Sequence, residues 1–276
     1  MKYVTYLHND VVSVGALLEG FVAPLRAFSA MEDLIRAGGV KSIPEERVPL
    51  EEVKLLAPIP HPAQDVICLG MNFADHTTEA ARFHPSMVRE NYPVYFSKRV
   101  NEAVADGGHI ESHPDVTQRV DYEAEVAVVL GKDAYKITAK DARDYIFGYT
   151  LVNDVSAREV QIRHKQFYLG KSLDGFTPMG PCIVTADDYS WPPEIGVRCY
   201  VNGELRQNGN TCQWIYGIAD VIEDLSAAMT LKAGTIISMG TPAGVGMGFD
   251  PPRFLKAGDV VVCEADGIGR LTNAVK

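Results

Sequence analysis

From Tyr122 to Leu130 the chain is apolar at all but two positions, a run of strand length rather than helix length. Successive strand side chains point to opposite faces, so Tyr122, Ala124, Val126 and Val128 share one face and Glu123, Glu125, Ala127 and Val129 the other. Shorter runs of the same kind predict strands over Val11–Leu18, Phe21–Leu25, Val66–Leu69, Val94–Phe96, Tyr149–Val152, Val197–Val201, Thr235–Ser238 and Val260–Cys263. Helical spacing is rarer. It predicts helices over Met31–Ala37, closed by Gly38-Gly39, and over Asp75–Phe83, Ala139–Tyr145 and Ile218–Met229. Asn202-Gly203 behind a strand signals a tight hairpin. Strands do not alternate regularly with long helices, which argues against a doubly wound parallel sheet. The expected class is α+β and β-rich, an antiparallel or mixed sheet core with helices at its periphery.

The proline-rich stretch Leu56–Pro62 reads as an extended linker. It divides a small N-terminal domain, residues 1–55, from a larger domain, residues 56–276. The length of 276 residues suffices for a substantial core, and the net charge of −10 argues against a nucleic-acid or anionic-membrane surface. No apolar run reaches membrane-spanning length and Met1–Thr5 opens no signal peptide. The cysteines at 68, 182, 199, 212 and 263 are scattered without C-x-x-C spacing, which suits a reducing cytoplasm and buried free thiols.

Glu123 and Glu125 are the conspicuous exception on the apolar strand. Side-by-side carboxylates resist ionisation when buried unless a cation neutralises them. A solvated face or ion pairs are the bland reading of the pair, and a metal ion is the sharper one. His76 and Glu79, at i, i+3 on the helix after Asn72, form either an incidental surface pair or an imidazole whose tautomer and basicity a carboxylate sets. Asp154, directly after a strand, is either a helix cap or a third carboxylate. All-oxygen ligands select Mg²⁺, Mn²⁺ or Ca²⁺ over zinc. Gly170-Lys171-Ser172 imitates a phosphate loop, but Lys165 stands where a glycine is needed, and Asp174-Gly175 and Pro178 interrupt the helix that must follow. Lys171, in a glycine-flanked turn, is then a solvated lysine or a fixed cation for an anion. The glycines of Gly240–Gly248 lead into Phe249-Asp250-Pro251-Pro252 instead of a helix. They therefore predict a backbone-lined turn, with Thr241 supplying a hydroxyl, and no dinucleotide site. His109 and His113 lie between Gly107-Gly108 and Pro114, so their spacing forms no helical zinc pair.

Taken together, these segments resemble the fumarylacetoacetate hydrolase superfamily over roughly residues 55 to 276. The motifs follow in family order: G-M-N-F-A-D-H-T-T-E, D-Y-E-A-E-V-A-V-V-L-G-K, G-Y-T-L-V-N-D-V-S-A-R-E-V-Q, G-K-S-L-D-G-F-T-P-M-G-P, V-N-G-E-L-R-Q and G-T-P-A-G-V-G. The runs His164–Ser172 and Gly248–Leu255 are similar to bacterial members with an added N-terminal domain, several of which are oxaloacetate decarboxylases or acylpyruvate hydrolases. The resemblance implies a mixed β-roll or distorted barrel, assembled as a homodimer. It implies that Glu123, Glu125 and Asp154 hold Mg²⁺ or Mn²⁺, and that His76 and Glu79 form a water-activating dyad on a lid. It makes Lys171 the cation facing oxyanion charge and brings Gln161, Thr241 and Arg158 to the substrate, with a structural role the alternative for Arg158. The founding eukaryotic hydrolase has an aspartate ligand where this chain has Asn72, so Asn72 is not counted as one.

These assignments converge on a small anionic 2-oxo acid as substrate. Its carboxylate and adjacent carbonyl suit a hard cation, which stabilises an enolate at C2–C3. With a 2,4-dioxo acid, His76 activates water for attack at C4; with oxaloacetate, loss of CO₂ gives the same enolate. The expected protein is a metal-dependent C–C-cleaving enzyme, an acylpyruvate hydrolase or oxaloacetate decarboxylase. An isomerase or hydratase of a related acid, and a metabolite-binding protein with little turnover, are the alternatives. The polar, proline-interrupted stretch to Tyr92 is expected to act as the lid, closing with His76 and Arg89 over a bound dicarboxylate.

Overall fold

The structure is a computed structural model that describes residues 1–81 and 92–276. Its centre is the strand Ala124–Leu130, buried at every position. It runs antiparallel to Ile146–Asn153, with Ala124 opposite Asn153 and Val126 opposite Leu151, and to Ile236–Ser238, with Val128 opposite Ile237. Its two faces enter two cores. Val126, Val128 and Leu130 pack with Val197, Cys199, Val261 and Cys263 of a second sheet. Ala127 and Val129 pack on the other side with Tyr3, Leu34, Ile35 and Ile59. The doubly apolar pattern of the sequence is the signature of a strand sandwiched between layers.

The large sheet has eleven described strands. From Ala124–Leu130 it continues one way through Ile146–Asn153, Met179–Thr185, Lys2–His8, Val11–Leu18, Phe21–Pro24 and Val48–Pro49, with Lys54–Leu55 branching onto Lys2–His8. The other way it continues through Ile236–Ser238, Val66–Gly70 and Val94–Lys98, and Ile236–Ser238 pairs with Val66–Gly70 in parallel. The second sheet orders Glu204–Asn210, Gly196–Val201, Val260–Ala265, Gly269–Val275 and His109–Ile110, the last pair parallel. Both sheets are mixed and β dominates, as expected, and the sheets stay open without closing into a barrel. Thr5 Oγ1 donates to the Pro58 carbonyl at 2.6 Å, and Ala57 and Ile59 are buried, so the proline-rich stretch is packed against the N-terminal strands. No helix among the described residues is long and apolar enough to cross a membrane.

Local sequence accounts for several boundaries. Met31, Leu34 and Ile35 give helix Met31–Arg36 its buried face, and Gly38 and Gly39 follow in the left-handed region that ends it. Asn202 (φ 52°) and Gly203 (φ 80°) form the hairpin between Gly196–Val201 and Glu204–Asn210.

Three expectations require correction, and strand Met179–Thr185 was not foreseen. The strand foreseen from Tyr122 begins at Ala124, because side chains replace ladder partners just before it. Asp121 Oδ1 accepts from Tyr122 N at 2.9 Å, Asn153 Oδ1 from Glu123 N at 3.0 Å, and Gln207 Oε1 from Ala124 N at 3.0 Å. The helix foreseen from Ala139 is a short 3₁₀ turn, Ala142–Tyr145. Lys171 ends a short helix, Tyr168–Lys171, rather than sitting in a turn. Met179–Thr185 is a strand despite Pro181, which falls where pairing with Ile146–Asn153 slips between Tyr149 and Leu151. Residues 82–91, which include Arg89 and most of the expected lid, lie outside the described residues.

Truncating Leu151, fully buried between the two sheets, is expected to cost about 2–5 kcal/mol of stability as Leu151→Ala. Val12→Ala on the exposed edge is expected to cost under about 0.5 kcal/mol. Urea unfolding of the two variants checks the contrast.

Candidate active site

The break ahead of Ala124–Leu130 puts Glu123 and Glu125 at the end of the central strand, beside Asp154 just past the end of Ile146–Asn153. One carboxylate oxygen from each of the three lies within 4.8 Å of the others, and all three residues are buried. Helix Arg158–His164 delivers Arg158 and Gln161 to the same place, and helix Tyr168–Lys171 delivers Lys171. Helix Ala74–Ala81 brings His76 over the opening. One cavity of about 60 Å³ is lined by His76, Glu123, Glu125, Arg158, Gln161, Lys171 and Thr241, with apolar walls from Leu69, Met71, Phe96, Phe167 and Met247. The cavity thus gathers seven of the residues assigned to the site from the sequence, with Asp154 bonded to Lys171 and Glu79 to His76, while Arg89 lies outside the described residues.

Ion pairs tie the buried charges together. Lys171 Nζ donates to Glu123 Oε2 at 2.6 Å and to Asp154 Oδ2 at 2.5 Å, and it lies 5.2 Å from the centre of the Phe96 ring. Arg158 Nη2 is 2.7 Å from Glu123 Oε1, and Arg158 Nε donates to Asp121 Oδ2 at 2.9 Å. Lys98 Nζ, fully buried, is 2.6 Å from Asp154 Oδ1 and donates to the Val155 carbonyl at 3.1 Å. Burial works against the charged form of Glu123, but Lys171 and Arg158 outweigh it and hold its carboxyl below the ordinary range. Burial likewise opposes the Lys171 ammonium, and Asp154 and Glu123 overcome it, so its pKa is raised.

Glu125 is different. Among the described residues it has no cationic partner; its Oε2 accepts from Ser238 Oγ at 2.6 Å and from Gly240 N at 3.0 Å. Burial, with Asp154 and Glu123 as like charges, pushes its pKa well above the usual 4.5. Counted together, the buried carboxylates Asp121, Glu123, Glu125 and Asp154 exceed the cations Lys98, Arg158 and Lys171 by one. A divalent cation would change that excess of −1 to +1, a charge that attracts an anionic ligand. The oxygen-only donor set, its spacing and the uncompensated Glu125 fit a hard divalent ion.

The dyad is formed as well. His76 Nδ1 and Glu79 Oε2 are 3.1 Å apart, and Glu79 also accepts from Gly244 N at 3.1 and 3.3 Å. Gln161 Oε1 accepts from Arg158 Nη1 at 3.3 Å, which leaves the Gln161 amide nitrogen for a ligand. Thr241 donates its hydroxyl proton to the Ala124 carbonyl at 2.9 Å and accepts from Gln207 Nε2 at 2.7 Å, so it can serve a ligand only as wall or acceptor. Asn72 braces the scaffold: its Nδ2 donates to the Met239 and Tyr216 carbonyls and its Oδ1 accepts from Tyr216 N. Sequence reasoning missed Lys98, Asp121 and Ser238. Asp121 opens the D-Y-E-A-E run itself, whereas a lysine closing the strand Val94–Lys98 carries no signal that it is buried.

The model of the fumarylacetoacetate (FAA) hydrolase C-terminal family matches residues 65–276. The chain belongs to this family. It is 47% identical over 226 residues to oxaloacetate tautomerase YisK of Bacillus subtilis, covering 82% of this chain and 74% of that one. Its fold is similar to the fumarylacetoacetate hydrolase of the psychrophile Exiguobacterium antarcticum, with TM-score 0.89, 37% identity and coverage of 100% of this chain and 99% of that one. It is also similar to the 5-carboxymethyl-2-hydroxymuconate delta-isomerase of Mycobacterium smegmatis, with TM-score 0.82, 32% identity and coverage of 100% and 99%. Members of the family are enzymes, and these three span a hydrolase, an isomerase and a tautomerase.

The raised Glu125 pKa would make binding of a cation at the triad proton-linked. The protonated carboxyl must lose its proton to a bound ion, so Mn²⁺ affinity should rise with pH until Glu125 ionises unaided. A carboxyl with a raised folded-state pKa stabilises the fold fully below its unfolded value and loses that contribution as pH rises through the folded value. The melting temperature of chelator-treated protein should therefore fall with rising pH above about 4.5, less so in Glu125→Gln, and added Mn²⁺ should restore it. Calorimetry in two buffers of different ionisation enthalpy measures the released proton; binding without release would contradict this account of Glu125.

Proposed function

We propose that the protein catalyses proton transfer at C3 of a short 2-oxo dicarboxylic acid of the oxaloacetate type, interconverting its keto and enol forms. The observation that carries this reading is one cavity joining a carboxylate-polarised imidazole to a buried triad of oxygen ligands. Enolisation needs those two parts: a base at C3 and an electron sink at the C2 carbonyl. The similarity to an oxaloacetate tautomerase and to a delta-isomerase supports the same reading.

Glu123, Glu125 and Asp154 would hold Mg²⁺ or Mn²⁺, which when bound supplies Lewis acidity at the 2-oxo group. The rest is done by side chains. With Nδ1 engaged by Glu79, His76 keeps Nε2 to take the C3 proton and return it to oxygen. Glu79 stabilises the imidazolium formed in between. Lys171 and Arg158 place fixed positive charge beside the developing oxyanion, in a buried setting where such charge acts strongly. The Gln161 amide nitrogen donates to the distal carboxylate. The cavity, about 60 Å³, suits a substrate of few non-hydrogen atoms.

C–C cleavage is the second reading, favoured by the same dyad and by the similarity to a fumarylacetoacetate hydrolase. It uses the same electron sink at C2 but breaks the C3–C4 bond instead of the C3–H bond, giving the pyruvate enolate, and so needs an activated water or loss of CO₂. Proton NMR of oxaloacetate in D₂O with Mg²⁺ or Mn²⁺ separates the two. Deuterium should enter C3 faster than pyruvate appears, and His76→Ala should slow that entry by roughly 10²–10⁴-fold. Pyruvate formed as fast as deuterium enters would favour cleavage, and neither process above background would end both readings for this acid.

A further inference from the structure

We propose that Asp121, which is neither a metal ligand nor a dyad member, is a positioning residue that couples the His76–Glu79 dyad to the carboxylate triad. The inference rests on the site reading above. Asp121 is wholly buried and its acceptor capacity is fully used inside the protein. Oδ1 accepts from Tyr122 N at 2.9 Å and Gly246 N at 2.6 Å; Oδ2 accepts from Met247 N at 3.0 Å and Arg158 Nε at 2.9 Å. A carboxylate so committed has nothing left for an ion. It works as a clamp.

From the clamp two arms extend. Through Arg158 it reaches Glu123 Oε1, 2.7 Å from Nη2, and through Glu123 it reaches Lys171 and Asp154. Through the Gly246-Met247 backbone it fixes the glycine loop, whose Gly244 N–H grips Glu79, and Glu79 in turn orients His76. The glycines at 246 and 248 fit this double grip, Gly246 being closed in also by the Arg253 carbonyl, 2.5 Å from where a Cβ would stand. A Cβ at Gly246 would lie 2.6 Å from Asp121 Oδ1, and one at Gly248 would lie 1.8 Å from Glu79 Oε1. The loop is thus held between Asp121 on one side and Glu79 on the other, with no room for side chains at the contact points.

Asp121→Asn removes the charge and turns one acceptor into a donor facing an N–H or Arg158. Among the described residues Asp121 makes no hydrogen bond to helix Ala74–Ala81, yet amide hydrogen exchange across residues 74–81 should quicken about tenfold together with residues 243–248. For oxaloacetate enolisation, kcat should fall about 10–100-fold with KM within about threefold, a split that general loosening would not give, and Mn²⁺ affinity should weaken about tenfold as Arg158 loosens from Glu123. In a Glu79→Gln background the same change should add less than about threefold, because both act through one chain. Unchanged exchange in residues 74–81, or losses that multiply, would overturn the proposal. If Asp121→Asn does not fold, Gly248→Ala probes the chain from its far end. Its Cβ would stand 1.8, 2.2 and 2.7 Å from Glu79 Oε1, Cδ and Cγ and so displaces the whole carboxyl end of that side chain, and Gly246 and Met247 amides should then exchange faster; unchanged exchange there overturns the coupling equally. Should wild type show no turnover of oxaloacetate, the functional reading fails while the exchange and Mn²⁺ measurements still decide the coupling.

Discussion

Among the described residues of the site, four buried carboxylates meet only three buried cations, and most of the surrounding architecture answers that imbalance. Burying unpaired charge is so unfavourable that each acidic group must be matched by a cation, by hydrogen-bond donors or by a proton. Asp154 takes two lysines, Glu123 a lysine and an arginine, Asp121 an arginine and three backbone amides. Glu125 takes a hydroxyl and one amide, and burial beside two like charges raises its pKa. A raised pKa at one member lets a proton relieve the charge of the buried cluster, and loss of that proton would admit a divalent ion.

The fold supplies the matching groups from opposite directions. The central strand and its antiparallel neighbour bring the acids in at their ends, and two short helices bring Arg158, Gln161 and Lys171 from outside the sheet. Interrupting the ladder at Tyr122–Ala124 is part of the same solution. Side-chain oxygens of Asp121, Asn153 and Gln207 take over the amides there, so the backbone turns without losing hydrogen bonds.

What could be read from the sequence follows from the same physics. A strand apolar on both faces with two glutamates on one of them announces burial and a charge problem, and the structure contains both. The residues that solve the problem are poorly legible, because Lys98 and Ser238 look like ordinary strand residues until a distant carboxylate is folded against them. Strand Lys2–His8 is not legible, and Glu204–Asn210 is legible only as the return of the Asn202-Gly203 hairpin, because polar residues and short runs hide their alternation. The interruption at Tyr122 was illegible for a related reason: its cause sits on Asn153 and Gln207, 30 and 83 residues away in sequence from the amides they accept.

The pairing of Lys2 with Val184 and Tyr3 with Ile183 carries a consequence for how the chain is made. The N-terminal strands Lys2–His8, Val11–Leu18 and Phe21–Pro24 form a local meander that can assemble early. On a ribosome, however, the strand against which it docks emerges some 180 residues later, about ten to forty seconds of synthesis at ordinary rates. Lys54–Leu55 covers the far edge of Lys2–His8 at Tyr6 and Leu7, but throughout that interval its Lys2–Tyr3 end is an open template, and any β-forming stretch that emerges first competes for it. Newly made chain should therefore depend on holding chaperones more than its final stability suggests, with the risk concentrated before residue 185 has left the exit tunnel.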